Sequence, residues 1–242
     1  MDEAQQKKIH ELEGGDRELR GSWGLIVMAL CIVMSLFHFY SAGFGIPVRS
    51  TTYLIFHLTI ALVLVFLIYP VKKGLGQTSV PWYDMLLALG AAFVGFHIIQ
   101  NQAEMRILSG KLTGFDLAVG VLLVVLVLEA ARRVVGKPLV IIAGIFIGYF
   151  FLGEFLPGQF HHSRGGLTMT GLNRFISEVS FLKTGIFGTP IYASAYYVFI
   201  FILFGAILET TGAGKMFIDL ALRACGRYKG GPAKAAVVAS AG

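Results

Sequence analysis

The stretch SWGLIVMALCIVMSLFHFYSA, residues 22–42, decides what kind of fold this chain adopts. It is apolar and about 20 residues long, the length that an α-helix needs to cross about 30 Å of hydrocarbon. The apolar core of a secretory signal peptide is shorter, about 7–15 residues. We therefore interpret residues 22–42 as a retained membrane anchor.

Five further apolar runs follow, at residues 52–70, 82–100, 115–131, 138–157 and 190–210. Backbone groups in lipid must pair within their own segment, so these runs predict helices; strands of a β-barrel would alternate, and this sequence does not. With 56% hydrophobic and only 14% charged residues, the composition is far from that of a soluble domain. The sequence predicts an all-α integral membrane protein with about six transmembrane helices.

The lysines and arginines orient these helices. If the N-terminus lies inside, residues 1–21 form a cytoplasmic arm, and only six of the 20 basic residues fall in outer segments. Those six are Arg49, Arg106, Lys111, Arg164, Arg174 and Lys183. The positive-inside rule favours this arrangement. The basic residues form no recognised nucleic-acid-binding module, so no nucleic-acid partner is expected.

Two other segments have the spacing of amphipathic helices. In residues 165–183 apolar side chains recur every three to five positions, which suits a helix lying in the outer membrane interface. They are Leu167, Leu172, Phe175, Ile176, Val179 and Leu182. Residues 214–228 suit a helix on the inner surface, and the Gly-Gly-Pro at residues 230–232 then breaks the pattern.

Polar residues inside the apolar runs are the candidate functional groups. His38, His57 and His97 lie at similar depth in the first three runs. We interpret them as interfacial residues that are hydrogen-bonded between helices or to headgroup water, with a ligand set or a polar interhelical network as the alternative. No carboxylate or thiol accompanies them, so no metal site is expected. Glu129 stands four residues before Arg133, a spacing that favours a local ion pair, with a proton-relay role as the alternative.

Two pairs of small residues predict close helix packing. Ala91 with Gly95 and Gly144 with Gly148 each stand four residues apart, so that each pair lies on one helix face. The stretch His161-His162-Ser163-Arg164 is interpreted as a solvated outer loop, with contact to a binding protein as the alternative.

No enzyme is predicted. The sequence contains no HExxH, no GxSxG and no Walker A motif, so neither hydrolysis of ATP nor a cofactor is expected. An intramembrane enzyme would need paired polar groups at one depth, and only the three histidines offer them.

From residue 183 onward the sequence resembles the early part of the large membrane subunit of tripartite ATP-independent periplasmic (TRAP) transporters. The residues that carry the resemblance are Gly185-Ile186-Phe187-Gly188, Phe204-Gly205-Ala206, Glu209, Thr211-Gly212-Ala213-Gly214 and Gly230-Gly231-Pro232-Ala233-Lys234. Residues 22–135 resemble the small four-helix subunit, including LIFHLTIALVLVFLIYP at residues 54–70. Direct joining of the two is similar to the fused permeases that serve binding proteins of the TAXI type.

The resemblance implies a permease in the bacterial inner membrane. A periplasmic binding protein would deliver a small organic acid, and a sodium gradient would drive an elevator-like movement. Residues 22–135 would be scaffold, residues 136–242 would begin the transport region, and residues 230–242 would start a re-entrant hairpin. Most substrate- and ion-binding residues would lie beyond Gly242, leaving Glu209, Ser240 and Gly242 as candidates in this chain.

Two alternatives stay open. We expect the chain to be part of a longer permease, since the resemblance covers only the beginning of the family's length. A chain that did stop at Gly242 would instead be a membrane scaffold or adaptor without its own transport path, or a truncated remnant.

Overall fold

A computed structural model describes residues 17, 19–45, 48, 50–71, 79–107, 111–162 and 166–225. Within these ranges the regular structure is entirely helical. Five long helices come first: α1 (Ser22–Phe44), α2 (Ser50–Ile68), α3 (Trp82–Ile107), α4 (Gly114–Val134) and α5 (Lys137–Leu152).

Shorter elements follow α5. Two 3₁₀ turns, Gly153–Phe155 and Gly158–Phe160, lead to α6 (Met169–Ile176), which runs into a π-helical turn at Ser177–Phe181. Then come α7 (Thr189–Ala193), a second π-helical turn at Ser194–Val198, α8 (Phe199–Thr210) and α9 (Ala213–Cys225).

The predicted membrane-spanning runs are confirmed. Six helical segments in the described ranges are long and apolar enough to cross a membrane, and each coincides with one predicted run. They are Ser22–Phe44, Ser50–Ile68, Trp82–Gln102, Gly114–Val134, Lys137–Phe155 and Thr189–Thr210. The fold class follows from local hydropathy alone.

Helix α2 is the centre of the bundle. It packs against α1, α3, α4 and α7. Half of its membrane-spanning residues are buried inside the protein, compared with 6% of those in the span that contains α5. At the α2–α3 contact, Gly95 lies against the Thr59 side chain, where an added Cβ would overlap the hydroxyl, and Ala91 is 2% exposed. Lipid tails are as apolar as these side chains, so close approach and dispersion contacts hold the helices together.

The second predicted small-residue pair behaves differently. Around Gly144 and Gly148 on α5, no described atom lies within 4 Å of the position that a Cβ would take. The prediction of close helix packing is therefore confirmed for α3, and the described chain supplies no partner for the same pattern on α5.

The amphipathic segment at residues 165–183 contains α6 and its π-helical turn. Its apolar side chains pack against α3 and α4: Phe175, Ile176 and Phe181 are buried, and Ile176 occupies the space beside Gly120. The Ser180 hydroxyl donates to the Gly120 carbonyl at 3.1 Å. Part of the predicted apolar face, Phe175 and Ile176, thus packs on protein, whereas Leu167 is exposed.

The Gly185–Gly188 stretch is a tight turn that brings the chain from α6 into α7. The amide of Ile186 donates to the Val179 carbonyl at 2.8 Å. A Cβ on Gly185 would overlap the Val179 backbone, and Phe187 between the two glycines is 3% exposed. Close backbone approach therefore explains the glycine at 185.

By compactness the chain divides into Met1–Ala195 and Tyr196–Gly242. In the second unit, α8 and α9 pack on each other, and the predicted amphipathic helix at residues 214–228 corresponds to α9. The predicted hairpin start at residues 230–242 lies outside the described residues. The division between residues 135 and 136 into two subunit-like regions stays a prediction.

Candidate functional sites at the two ends of the bundle

Polar side chains gather at the two opposite ends of the bundle formed by α1 to α4, and Arg17 and Ser194 join them from outside these helices. We call one the arginine end, where α2 and α4 finish and α3 begins. It consists of Arg17, Asp84, Glu129, Arg132 and Arg133.

Asp84 lies between two arginines at this end. Its Oδ2 accepts from Nη2 of Arg17, and its Oδ1 lies 2.7 Å from Nη2 of Arg133, an ion pair whose N–H is not aligned as a hydrogen bond. All three side chains are 0% exposed. A buried carboxylate is tolerated when it is paired in this way, and removing it would leave two buried cations.

The same two arginines cap the C-terminus of α2. Nη1 of Arg17 donates to the carbonyls of Phe66 and Leu67, both at 3.0 Å, and Nη1 of Arg133 donates to that of Tyr69 at 3.0 Å. The Arg17 amide also donates to the Ile68 carbonyl at 2.9 Å. The last carbonyls of a helix have no partner within it and carry partial negative charge, so cations are stabilising here.

Glu129 completes the cluster from within α4. It accepts from Nε of Arg133 at 2.8 Å, as the four-residue spacing predicts, and binds Arg132 through two bonds at 2.7 and 2.8 Å. Arg133 thus joins Glu129 to Asp84. The local ion pair is confirmed, as one part of a larger network.

Sequence reasoning missed Arg17 and Asp84. The hydropathy pattern places residues 1–21 in a cytoplasmic arm, whereas Arg17 is 6% exposed and bonded to α2 and α3. Asp84 stands in the first turn of an apolar run. Because an acid at such a position is usually paired, it was the available signal that another part of the chain supplies a cation. Its partner, 67 positions earlier, has no local signature.

We call the other end the histidine end, where α1 and α3 finish and α2 and α4 begin. Here Nδ1 of His57 lies 2.9 Å from Nε2 of His38. Nδ1 of His38 lies 2.8 Å from the Met34 carbonyl, and Nε2 of His57 lies 3.2 Å from the Ser194 hydroxyl. Both imidazoles are buried, at 0% and 4% exposure. The four groups form one hydrogen-bonded chain from α1 through α2 to the π-helical turn after α7.

Aromatic rings enclose this chain. The Tyr53 and Phe37 rings lie 5.1 and 5.7 Å from that of His38, and Phe56 packs near Phe37 at 4.3 Å. The Tyr53 hydroxyl donates to the Ala195 carbonyl at 3.2 Å, one residue beyond Ser194. Helix α2 therefore holds the π-helical turn through two neighbouring residues.

His97 does not join the other two histidines. Its Nε2 donates to Asp116 Oδ1 at 2.9 Å, and Asn101 donates to its ring at 3.3 Å. Asp116 also pairs with Thr113, the N-cap of α4. The predicted interhelical network is confirmed as two separate contacts, and the three-histidine set is wrong. Among the described residues, no group of three or more His, Cys, Asp or Glu could hold a metal ion.

The remaining candidates give no assembled site. Glu209 is exposed near the end of α8, and the hydroxyls of Thr210 and Thr211 donate to carbonyls of their own helix. Ser240 and Gly242 lie outside the described residues. They stay predictions.

His162 of the outer loop packs against α5 and the turn that follows it. The ring of His162 packs edge-on against Tyr149, 4.7 Å between centroids, and fills the space beside Gly153. Its amide donates to the Gly153 carbonyl at 3.1 Å. His161 is exposed, as expected for a solvated loop, whereas His162 is partly buried, and residues 163–164 lie outside the described residues.

A family model described as "Tripartite ATP-independent periplasmic transporter, DctM component" matches residues 122–242. The match begins inside α4, includes the Gly185–Gly188 turn and contains Ser194 of the histidine end. No curated protein and no solved structure gives a significant match to the chain.

Proposed function

Because the chain belongs to the family of DctM components of TRAP transporters, we propose that it forms part of a sodium-driven permease that imports small organic acids. The observation that carries the proposal is the family match over residues 122–242, on a chain with six spanning helices. A membrane component of a TRAP transporter works with a periplasmic binding protein. The organic-acid substrate and the coupling to sodium are the parts of this function that we propose.

The proposed architecture is a fused permease of the TAXI-serving type. In support, α2, which precedes the matched region, contacts α7 within it, and α4, inside which the match begins, contacts α6. His57 and Tyr53 bond to Ser194 and to the Ala195 carbonyl, which lie in the matched region. The first four helices would therefore serve as a scaffold for the transport region.

The proposed location is the bacterial inner membrane with the N-terminus inside. The distribution of lysines and arginines supports this orientation. The arginine end would then face the cytoplasm, and the histidine end and the loop with His162 would face the binding protein.

The substrate- and ion-binding residues are proposed to lie mostly beyond Gly242. Within the chain, Glu209 is the candidate that can be tested now, because it is exposed and stands near a helix end. Helix ends in transporters present carbonyl groups that can bind cations.

Uptake into proteoliposomes tests the proposal. The complete natural protein would be reconstituted together with a secreted binding protein encoded beside its gene, and labelled organic acids would be supplied with and without an inward sodium gradient. We expect uptake that needs both the binding protein and the gradient. Uptake driven equally well by other ions would remove sodium coupling, and no uptake of any acid would overturn the transport proposal.

A matched pair of variants would test the role of Glu209. Glu209→Gln should reduce uptake, whereas Glu178→Gln, which removes a partly exposed carboxylate paired with Arg174, should not. The alternative, a scaffold or adaptor without a transport path, would gain support if the native protein had an intact mass near 26.3 kDa and showed no uptake.

A further inference from the structure

The hydrogen-bonded chain at the histidine end has only one direction when both imidazoles are neutral. The Met34 carbonyl can only accept, so Nδ1 of His38 carries a hydrogen. A neutral ring has one N–H, so Nε2 of His38 must accept from Nδ1 of His57. Nε2 of His57 is then an acceptor, and Ser194 must donate to it.

This direction determines where a further proton can bind. At Nε2 of His57 it meets a hydroxyl, which can turn from donor to acceptor because an oxygen has both a hydrogen and lone pairs. At Nε2 of His38 it would face the N–H of His57 across 2.9 Å, and that contact would break. The arrangement can therefore hold one added proton without any movement of heavy atoms.

We propose that His57 and Ser194 form a single-proton binding site. A proton from water adds to the lone pair of His57 Nε2, the new N–H donates to Ser194 Oγ, and the hydroxyl hydrogen turns away. No bond between heavy atoms forms or breaks, and His38 stays neutral as the acceptor from His57 Nδ1.

Three described side chains face the site, each from a different element. His38 faces it from α1, Tyr53 from α2, and Ser194 from the π-helical turn after α7. The Tyr53 hydroxyl donates to the Ala195 carbonyl. Asp116, a carboxylate at the same end, bonds to His97.

The proton would bind where the N-terminal helices contact the family-matched region. His57 precedes the family-matched residues 122–242, and Ser194 lies among them. The bond that reverses is thus one that joins the N-terminal helices to the matched region. The proton site includes none of the proposed ion and substrate residues, and it does not depend on which acid or ion is transported.

Nuclear magnetic resonance of the full chain with ¹⁵N-labelled histidine tests the site. The chain has six histidines, and His38 and His57 would be identified by loss of their signals in His→Gln variants. At alkaline pH we expect both to carry hydrogen at Nδ1 and none at Nε2. On acidification only His57 should gain a hydrogen at Nε2, in a one-proton step.

Two serine variants separate the site from a general effect of buried hydroxyls. Ser194→Ala removes the bond to Nε2 in both states, and the bond to the charged ring is the stronger of the two, so proton binding to His57 should weaken several-fold, by up to about tenfold. Ser41→Ala removes a hydroxyl that donates to the Phe37 carbonyl within α1, and proton binding to His57 should be unchanged.

Three results would overturn the proposal: hydrogen at Nε2 of His57 at alkaline pH, joint protonation of both rings, or equal effects of the two serine variants. If Ser194→Ala did not fold, the hydrogen positions in the unaltered protein would still decide between these outcomes.

Discussion

The two ends of the bundle are held by different chemistry. At the arginine end, Asp84 is fully buried between two cations that also cap α2. At the histidine end, imidazole, hydroxyl and carbonyl groups form a chain with no carboxylate in it. Charges without partners are costly when buried, whereas neutral groups can exchange donor and acceptor roles at the same positions.

This difference assigns the two ends different roles. The arginine end ties Arg17, α2, α3 and α4 together and tolerates no change of charge. The histidine end ties α1, α2 and the turn after α7 together and can take up a proton. We therefore regard the first as a fixed anchor and the second as the adjustable end of the same scaffold.

The largest expected effect is at the arginine end. Asp84→Asn leaves Arg17 and Arg133 buried without their common counter-charge, and we expect the free energy of unfolding to fall by about 3–5 kcal/mol. Thermal unfolding in lipid nanodiscs would measure it. Asp219→Asn, the same substitution at an exposed position on α9, is the control and should change little. Equal loss in both variants would contradict the assignment of the arginine end as a fixed anchor.

Between the two ends, close packing can be tested with two glycines. Gly120→Ala places a methyl group against Ile176 and Phe181, and we expect destabilisation by about 1–3 kcal/mol. Gly144→Ala meets no described atom within 4 Å and should stabilise its helix by up to about 1 kcal/mol. Unfolding temperatures of the two variants would be compared. A loss at Gly144 as large as at Gly120 would show that the open face of α5 has a partner.

A smaller effect is expected at the histidine end, away from the proton site. Asp116→Asn weakens the bonds to His97 and Thr113, which are partly exposed, so the loss should be about 0.5–1.5 kcal/mol. Glu178→Gln, at the more exposed pair with Arg174, should cost at most about 0.5 kcal/mol. If Asp116→Asn destabilised as much as Asp84→Asn, the two ends would not differ in their tolerance of a lost charge.

Features that depend on neighbours in sequence could be predicted. The six spans follow from hydropathy within about 20 residues. The Glu129–Arg133 pair and the contact at Ala91 and Gly95 follow from helical spacing, because residues four apart share a face.

Features that depend on distant pairing could not be predicted. His38, His57 and His97 have similar depth, and only the arrangement of helices separates His97 from the others. An apolar helix face has the same sequence pattern whether it contacts lipid or protein. The sequence therefore could not show that Phe175 and Ile176 pack against the bundle. The candidate residues Ser240 and Gly242 stay untested for another reason, since they lie outside the described residues.

The coupling between Arg17 and Asp84 in a double-mutant cycle is the most direct test of the fixed anchor. Unfolding free energies would be measured for Arg17→Gln, Asp84→Asn and the double variant in the same nanodiscs. We predict that the double variant loses less than the sum of the single losses, by about 1.5 kcal/mol or more, because the two side chains form one buried contact. Additive losses, within about 0.5 kcal/mol, would mean that Arg17 belongs to a solvated arm and that the arginine end is not a fixed anchor.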